Sequence, residues 1–347
     1  MSAFMTPEPQ RRRPPGIAWG GGLALAVMVA LGVMVEVRQP ADPVYEGRPL
    51  SDYLASYSEQ GLGAGGVDEN LRLLPPRIEL QCDPAAPRAI RSLGVACLPR
   101  VVCMLAAKDT SLKRLVWHWN ERSPWFRRTV RWNPRSGWSE QIGALGALRE
   151  LGEVARPAVP GILPLLEDPA CAHVAIAALV EIRPEHPPHF LALTNVLRLS
   201  GQVAAGADAQ LLHASALLAL SEWGPKAAAA EAVALEALSS TNGRVAGAAA
   251  IALARMEAAP EVVVPIVARR LSLLPAVTGL WPPFGRAGSF EEERVLLMNL
   301  FALREYGPRA AMARGALSNL LGTADARIRV AVTRVLAATS PDPSAAP

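Results

Sequence analysis

Aromatic and charged residues are scarce in this chain of 347 residues. Aromatic residues make up 5% of it and charged residues 19%, although 51% of the residues are hydrophobic. The hydrophobic excess is mostly Ala, Leu and Val, which favours closely packed helices over a core built from sheets. The formal net charge is only +4, so charge alone does not indicate a nucleic-acid or anionic-surface partner.

Cysteine is also scarce, and its spacing indicates no chemistry. The four cysteines are Cys82, Cys97, Cys103 and Cys171, and they form no metal-binding or redox motif. Cys97 and Cys103 lie in apolar helical sequence, so we expect small buried hydrophobic residues rather than a disulfide. No nucleophile elbow and no P-loop is present. We therefore predict a protein that is not an enzyme and that holds no cofactor or metal.

Three short patterns could indicate a functional site, but each has a simpler structural interpretation. Gly61, Gly63 and Gly66 satisfy G-x-G-x-x-G, but no parallel-strand pattern surrounds them, so we interpret residues 61–66 as a hinge. His186 and His189, with Glu185 or His173, offer metal ligands, yet they straddle a Pro-Pro turn without a supporting cysteine pair. The third pattern is an acidic cluster at a helix start, which complements the helix dipole; it comprises Glu291, Glu292 and Glu293.

A long apolar run lies near the N-terminus. Residues 17–35 carry no charge, and a helix of that length spans roughly 28 Å, close to the thickness of a bilayer core. Arginines at 11–13 precede the run, which predicts that residues 1–16 stay in the cytoplasm and that the rest is extracytoplasmic, or periplasmic. A cleaved signal peptide is the alternative, but the run is long for one and lacks a small-x-small cleavage site.

Small residues recur every four positions along this predicted transmembrane helix. Such a stripe lets two membrane helices approach closely, so we consider a homodimer through this face. The simpler interpretation is that an alanine-rich chain has alanine everywhere. The stripe consists of Ala18, Gly22, Ala26 and Ala30.

Residues 36–82 read as an extended linker that contains one short amphipathic helix. Leu50, Leu54 and Tyr57 follow helical spacing, with Tyr53 beside them. Beyond residue 83 the chain reads as successive pairs of helices, and the tail 339–347 reads as disordered. From residue 139 onward, the predicted helices are 139–151, 155–167, 171–182, 188–199, 207–223, 226–239, 244–256, 260–273, 290–306, 309–321 and 325–338.

The turns between paired helices share a Gly-then-Pro pattern. Gly152, Gly224 and Gly307 are expected to adopt the left-handed conformation that ends a helix. A proline soon afterwards is harmless in the first turn of the next helix, where its missing N–H has no partner to lose. Pro160 and Pro164 fall further inside and predict a kink. One such hairpin cannot bury its own apolar face, so copies must stack.

Two stretches carry a family resemblance. Residues 150–169, "ELGEVARPAVPGILPLLEDP", resemble a HEAT repeat of the PBS-lyase-like type. Residues 44–54, "VYEGRPLSDYL", and residues 89–115 resemble the start of bacterial membrane-anchored HEAT-repeat proteins, although Tyr53 replaces their usual Trp. This resemblance implies a binding scaffold with no catalytic residues. The bilin-handling residues of the lyase relatives are not recognisable here.

Residues 113–138 hold five of the eight tryptophans of the chain, interleaved with arginine. Trp and Arg are typical of protein interfaces, of membrane surfaces and of stacking on single-stranded nucleic acid. A translocated domain does not normally meet nucleic acid, which leaves a protein or peptidoglycan-side partner, the membrane surface, or plain packing onto the first repeats. The candidate interaction residues are Trp117, Trp119, Trp125, Arg127, Arg128, Arg131 and Trp132.

These observations predict an all-α protein with one N-terminal transmembrane helix. Residues 83–338 are expected to form an α-α superhelix, a HEAT- or armadillo-like solenoid with an insertion at 113–138. The predicted function is that of a non-enzymatic scaffold that binds an unknown protein through the solenoid surface. The alternative is a lyase-like modifier or an accessory subunit of an envelope enzyme.

Overall fold

The structure is a computed structural model that describes residues 40–62, 66–68, 70–74, 78–123, 135–182, 193–195, 197, 207–273, 289–322 and 326–340. About 78% of these residues are helical, which confirms the predicted all-α class. Two compact units are distinguished. One comprises residues 1–41 and 110–134, of which the described helix is α4 (Ser111–Arg122). The other comprises residues 42–109 and 135–347.

The larger unit contains the helical pairs. Most of the predicted boundaries agree with the structure to within two or three residues, and residues 188–199 are described only at 193–195 and 197. The helices are α1 (Leu50–Leu54), α2 (Ala85–Leu93), α3 (Leu98–Leu105), α5 (Gly137–Leu151), α6 (Val159–Ile162), α7 (Ala172–Ile182), α8 (Ala207–Ser221), α9 (Glu231–Leu238), α10 (Gly243–Arg255), α11 (Pro260–Leu273), α12 (Ser289–Tyr306), α13 (Arg314–Leu320) and α14 (Ala326–Ala338).

The glycine turns are where the sequence places them. Gly152, Gly224 and Gly307 have φ of +51°, +54° and +58°, and Gly94 joins them at +53°. At Gly152, ψ is −125°, which is not the left-handed helical value that we predicted but a region closed to residues with a Cβ atom. The Gly152 N–H still donates to the Leu148 carbonyl and ends α5.

Each glycine opens a 3₁₀ segment that leads into the second helix of its pair. The third residue after each glycine is small and fully buried, because the turn brings the backbone close to the first helix. Pro160 and Pro164 are each the second residue of a new short segment, so the predicted kink at 155–167 is a division into three pieces. The 3₁₀ segments are Gly94–Cys97, Gly152–Ala158, Leu163–Glu167, Gly224–Ala230 and Gly307–Ala313.

Gly152→Ala is expected to lower the free energy of unfolding by about 2 kcal/mol, since the new Cβ would force a rarely populated backbone conformation. Nothing lies within 4 Å of that Cβ, so backbone strain is the only cost. Urea denaturation followed by circular dichroism measures it. A midpoint equal to that of the native protein would show that the turn relaxes without cost.

The first helices of successive pairs form a row. Contacts link α5 to α7, α7 to α8, α8 to α10, α10 to α12 and α12 to α14. From α5 to α12, the middle part of each of these first helices is buried on all sides. Elements other than the second helices must therefore also pack against the row. The fully buried stretches are 141–148, 174–180, 214–221, 245–254 and 296–303.

Some of the elements that pack against the row lie between residues 42 and 81. The sequence analysis predicted no strands there. Short antiparallel pairs join β1 (Val44–Tyr45) to β2 (Arg48–Pro49), β3 (Ser58–Leu62) to β6 (Ile78–Gln81), and β4 (Gly66–Val67) to β5 (Leu73–Leu74). Gly61 and Gly66, which we assigned to a hinge, lie in β3 and β4. The second and third pairs form what we call the hairpin.

The hairpin contacts the row at two distant places. Near its base, α1 and β3 contact α5. Near its tip, β4 contacts α12, and Arg334 on α14 donates to the carbonyl and side-chain oxygens of Asn70 at 3.4 Å. The hairpin therefore contacts α5 near the start of the row, and α12 and α14 near its end.

No helix among the described residues is long and apolar enough to cross a bilayer. The predicted transmembrane helix at 17–35, with its stripe of small residues, lies outside the described residues.

Candidate functional site

The described part of the predicted interaction surface is α4. Thr110 caps this helix by accepting a hydrogen bond from the Lys113 N–H at 3.2 Å, and Ser123 ends it in an extended conformation. Trp117 and Trp119 both lie on α4, and Trp117 is half-buried. The other predicted residues, Trp125, Arg127, Arg128, Arg131 and Trp132, lie outside the described residues.

One face of α4 exposes apolar side chains. Leu115 is 43% exposed and Trp119 is 47% exposed, and their spacing of four residues places them side by side on the helix. Arg122 lies one turn further and contacts His118 Nε2 at 2.9 Å. We call Leu115, Trp119 and Arg122 the α4 patch. An exposed aromatic ring next to an aliphatic side chain and a guanidinium is a combination typical of interface hot spots.

The remaining patterns from the sequence do not form a site in the described residues. Gly61 and Gly66 lie in antiparallel strands, which is not the parallel unit that a nucleotide-binding loop needs. Glu293 pairs with Arg327 at 3.7 Å. His186 and His189 lie outside the described residues, and no cluster of three potential metal ligands occurs inside them.

All four cysteines are described and free. Cys97 is buried, as predicted, and its Sγ lies 3.0 Å from the Gly94 carbonyl oxygen. Burial raises the pKa of the Cys97 thiol to about 11, so the thiol stays protonated at neutral pH and is unreactive. Cys103 is only half-buried, so the prediction of burial is wrong for it, because its side of α3 does not face the row.

Ion pairs join successive first helices at their C-terminal ends, and the sequence analysis missed them. Arg91 on α2 bonds Glu150 on α5 at 2.7 Å. Arg149 on α5 bonds Glu181 on α7 through Nε at 3.0 Å and through Nη2 at 2.9 Å. Farther along, Arg255 on α10 lies 3.3 Å from Glu305 on α12. In each pair the arginine of one first helix meets the glutamate of the next first helix.

The sequence contains a pattern that could have indicated these ion pairs. Arg and Glu recur in the last turn of the first helices, as in Arg149-Glu150 and Arg304-Glu305. Cations in the last turn also complement the helix dipole, so an arginine at this position does not by itself indicate an ion pair between helices. The Glu181 side chain is only 7% exposed, so its pair with Arg149 matters most.

A scan against models of protein families finds none that matches this chain, and a search of curated proteins finds no relative. The resemblance of residues 44–54 and 150–169 to membrane-anchored HEAT-repeat proteins therefore remains a prediction from those residues.

Proposed function

We propose that this protein is a non-enzymatic interaction scaffold, built as a HEAT-like α-α superhelix and tethered to the membrane by residues 17–35. The observation that carries the proposal is the recurrence of one unit. A first helix, a glycine with positive φ, a 3₁₀ segment and a second helix follow one another at Gly94, Gly152, Gly224 and Gly307.

Both layers of this unit stack on the next copy. The first helices form the row described above. In the second layer, the 3₁₀ segment Gly94–Cys97 contacts Gly152–Ala158, and α11 contacts α13 and the segment Gly307–Ala313. Arrays in which each unit contacts its neighbours present long surfaces, and binding extended partners is their usual role.

The α4 patch is the surface on which we expect a protein partner. Its basic and aromatic composition suits a partner with acidic and apolar side chains. Leu115 and Trp119 both expose more than two fifths of their surface to solvent.

Leu115→Ala with Trp119→Ala is expected to reduce the partner recovered by affinity purification from detergent-solubilised envelopes at least tenfold, because truncating hot spots costs about 2 kcal/mol each. Helix content by circular dichroism should not change. Glu121→Gln, an exposed change on the same helix, is the matched control and should retain the partner. A second variant, with Ala at Trp125, Arg127 and Arg128, tests the rest of the predicted surface.

Unchanged recovery with both variants would exclude 113–138 as the contact surface. Unfolding of either variant would show that the insertion is structural. Both results are distinct from the expected one.

The orientation in the membrane is a separate part of the proposal. Arginines at 11–13 before the apolar run favour a cytoplasmic N-terminus and an extracytoplasmic repeat region. Reporter enzymes fused to the C-terminus, which are active only outside the cytoplasm, should be active. Activity of a cytoplasm-only reporter instead would reverse the orientation.

A further inference from the structure

The last described helix of the row, α14, has two different faces. It contacts α12 and α13, and its buried face consists of Ile328, Ala331, Val332 and Val335. The other face is exposed, and its members recur at the three- and four-residue spacing that forms one stripe along a helix. Within the described residues, the row therefore ends on a helix face that is exposed to solvent. The exposed stripe consists of Ala326, Arg329, Val330, Thr333, Arg334 and Ala337.

An open groove runs along the exposed stripe of α14. The described residues that line this groove are the six residues of the stripe, and its volume is about 490 Å³. From Ala326 to Ala337 the stripe runs for roughly 16 Å, or three helical turns. Only the short side chains of Val330 and Thr333 lie between the two arginines on the stripe, so the backbone of a partner can approach α14 closely. The groove is therefore long enough to receive three turns of a further helix.

The corresponding residues of α12 show what this position does elsewhere in the row. Pro308 follows α12 and Pro341 follows α14, and the two prolines align the helices in sequence. The central residues of the exposed stripe then correspond to apolar residues that are buried in α12, a helix that contacts both α10 and α14. A further helix would therefore continue the row at the groove, but it would meet arginines where α12 has apolar side chains. The corresponding residues of α12 are Leu296, Leu297, Leu300 and Phe301.

The groove carries charge of one sign. α14 has three arginines and no acidic residue, and the Asn70 oxygens that Arg334 contacts at 3.4 Å are neutral. Val330 is 50% exposed between Arg329 and Arg334. A polar face that served only solubility could carry charges of both signs, whereas arginines beside an exposed apolar side chain suit an acidic and partly apolar partner. A second copy in two-fold contact through this face would place arginines against arginines.

We propose that the groove on α14 binds an acidic amphipathic helix of a partner protein, which adds one helix to the row. Carboxylates of that helix pair with Arg329 and Arg334, and an apolar side chain between them packs on Val330. Amphipathic helices bind grooves in this way through anchors three and four residues apart. This inference rests on the proposed scaffold function, because it takes the end of the array as a second contact surface, separate from the α4 patch.

The test uses the full chain in detergent and a labelled helical peptide of three repeats of Glu-Ala-Leu-Glu-Ala-Ala-Leu. Fluorescence anisotropy should show saturable binding to the native protein, and Arg329→Glu with Arg334→Glu should weaken it at least tenfold. A second peptide with Lys in place of Glu should bind this variant at least tenfold more tightly than it binds the native protein, because the charges are exchanged. The control is Arg88→Glu with Arg269→Glu, an equal change of net charge at exposed positions on α2 and α11, which should bind the acidic peptide like the native protein.

Several results would overturn the proposal. Equal losses in the control and in the groove variant would show a general attraction between charges, and native protein that binds no acidic peptide would show no site. If the glutamates unfold the chain, Arg329→Ala with Arg334→Ala replaces them, since alanine suits an exposed helical position, and native-like binding by it overturns the proposal. Binding only by a chain that ends at Ser340 would assign the groove to residues 341–347. Disulfide-linked dimers of Val330→Cys, beyond those of the native chain, would assign it to a second copy.

The two proposals fail separately. If the native protein binds no acidic peptide while the α4 variants still lose their partner, the groove on α14 is wrong and the scaffold stands. If the peptide binds with the expected charge dependence but no α4 variant changes partner recovery, the groove on α14 stands without the α4 patch.

Discussion

Gly143→Ala is expected to lower the free energy of unfolding by about 3 kcal/mol, at the upper end of what overpacking a core costs. The added Cβ would lie 2.6 Å from the Leu54 carbonyl oxygen and 3.1 Å from the Leu54 Cβ. A backbone oxygen cannot rotate away, so α1 must move as a whole. Gly146→Ala should cost less, since its Cβ meets the Tyr57 ring at 2.5 Å, and a ring has rotamers available to it.

Chemical denaturation of each variant measures this effect, and Gly315→Ala is its control. Gly315 lies in α13 with nothing within 4 Å of an added Cβ, so alanine there should raise stability by up to about 1 kcal/mol. If Gly143→Ala were as stable as the native protein, α1 would not be anchored on α5.

Arg149→Met is expected to lower the free energy of unfolding by about 2 kcal/mol, because it removes the guanidinium that pairs with the buried Glu181 carboxylate. Removing one member of a buried ion pair usually costs about 3–5 kcal/mol, and we expect less here since Arg149 is 30% exposed. The effect should be visible as a lower midpoint in thermal or chemical denaturation.

The double variant Arg149→Met with Glu181→Leu separates charge from packing. It should recover to within about 1 kcal/mol of the native protein, because an apolar pair replaces a buried ionic one at little cost. The control is Arg156→Met, whose partner Glu153 is 72% exposed; a pair of this kind contributes less than about 0.5 kcal/mol. Equal losses at Arg149 and Arg156 would mean that the pair with Glu181 adds nothing to the row.

The helices were predictable because their signals are local. Positive φ at Gly152, Gly224 and Gly307 follows from glycine before a helix start with proline, and it needs no knowledge of the rest of the chain. The hairpin was not predictable in this way. β4 and β5 have two residues each, too few to show an alternating pattern, and β4 packs on α12, more than 200 residues later in the chain.

The close contacts on α5 were likewise only partly predictable from the sequence. Gly143 and Gly146 inside a helical pattern indicate that something approaches α5 closely, but not that it is Leu54 and Tyr57. Tyr53, which replaces the Trp of the similar proteins, is buried, and its hydroxyl donates to the Tyr45 carbonyl at 3.1 Å. A smaller aromatic residue with a hydroxyl fits there because it also satisfies the carbonyl of β1.

The candidate site was predictable in composition but not in geometry. The sequence marked 113–138 by its tryptophans and arginines, and the structure places Trp119 on an exposed helix face. Leu115, its apolar neighbour on that face, was not among the predicted residues. Single aliphatic residues carry no signal in a chain that is half hydrophobic, and only the helical spacing from Trp119 would have identified it.

The hairpin gives the row of helices one further property. A linear array of repeats loosens from its two ends, because each terminal unit has a single neighbour. Here β3 contacts α5 and β4 contacts α12, so two helices that lie far apart in the row share the hairpin as a neighbour. Loosening of α12 must therefore also break its contact with β4, a strand far earlier in the chain.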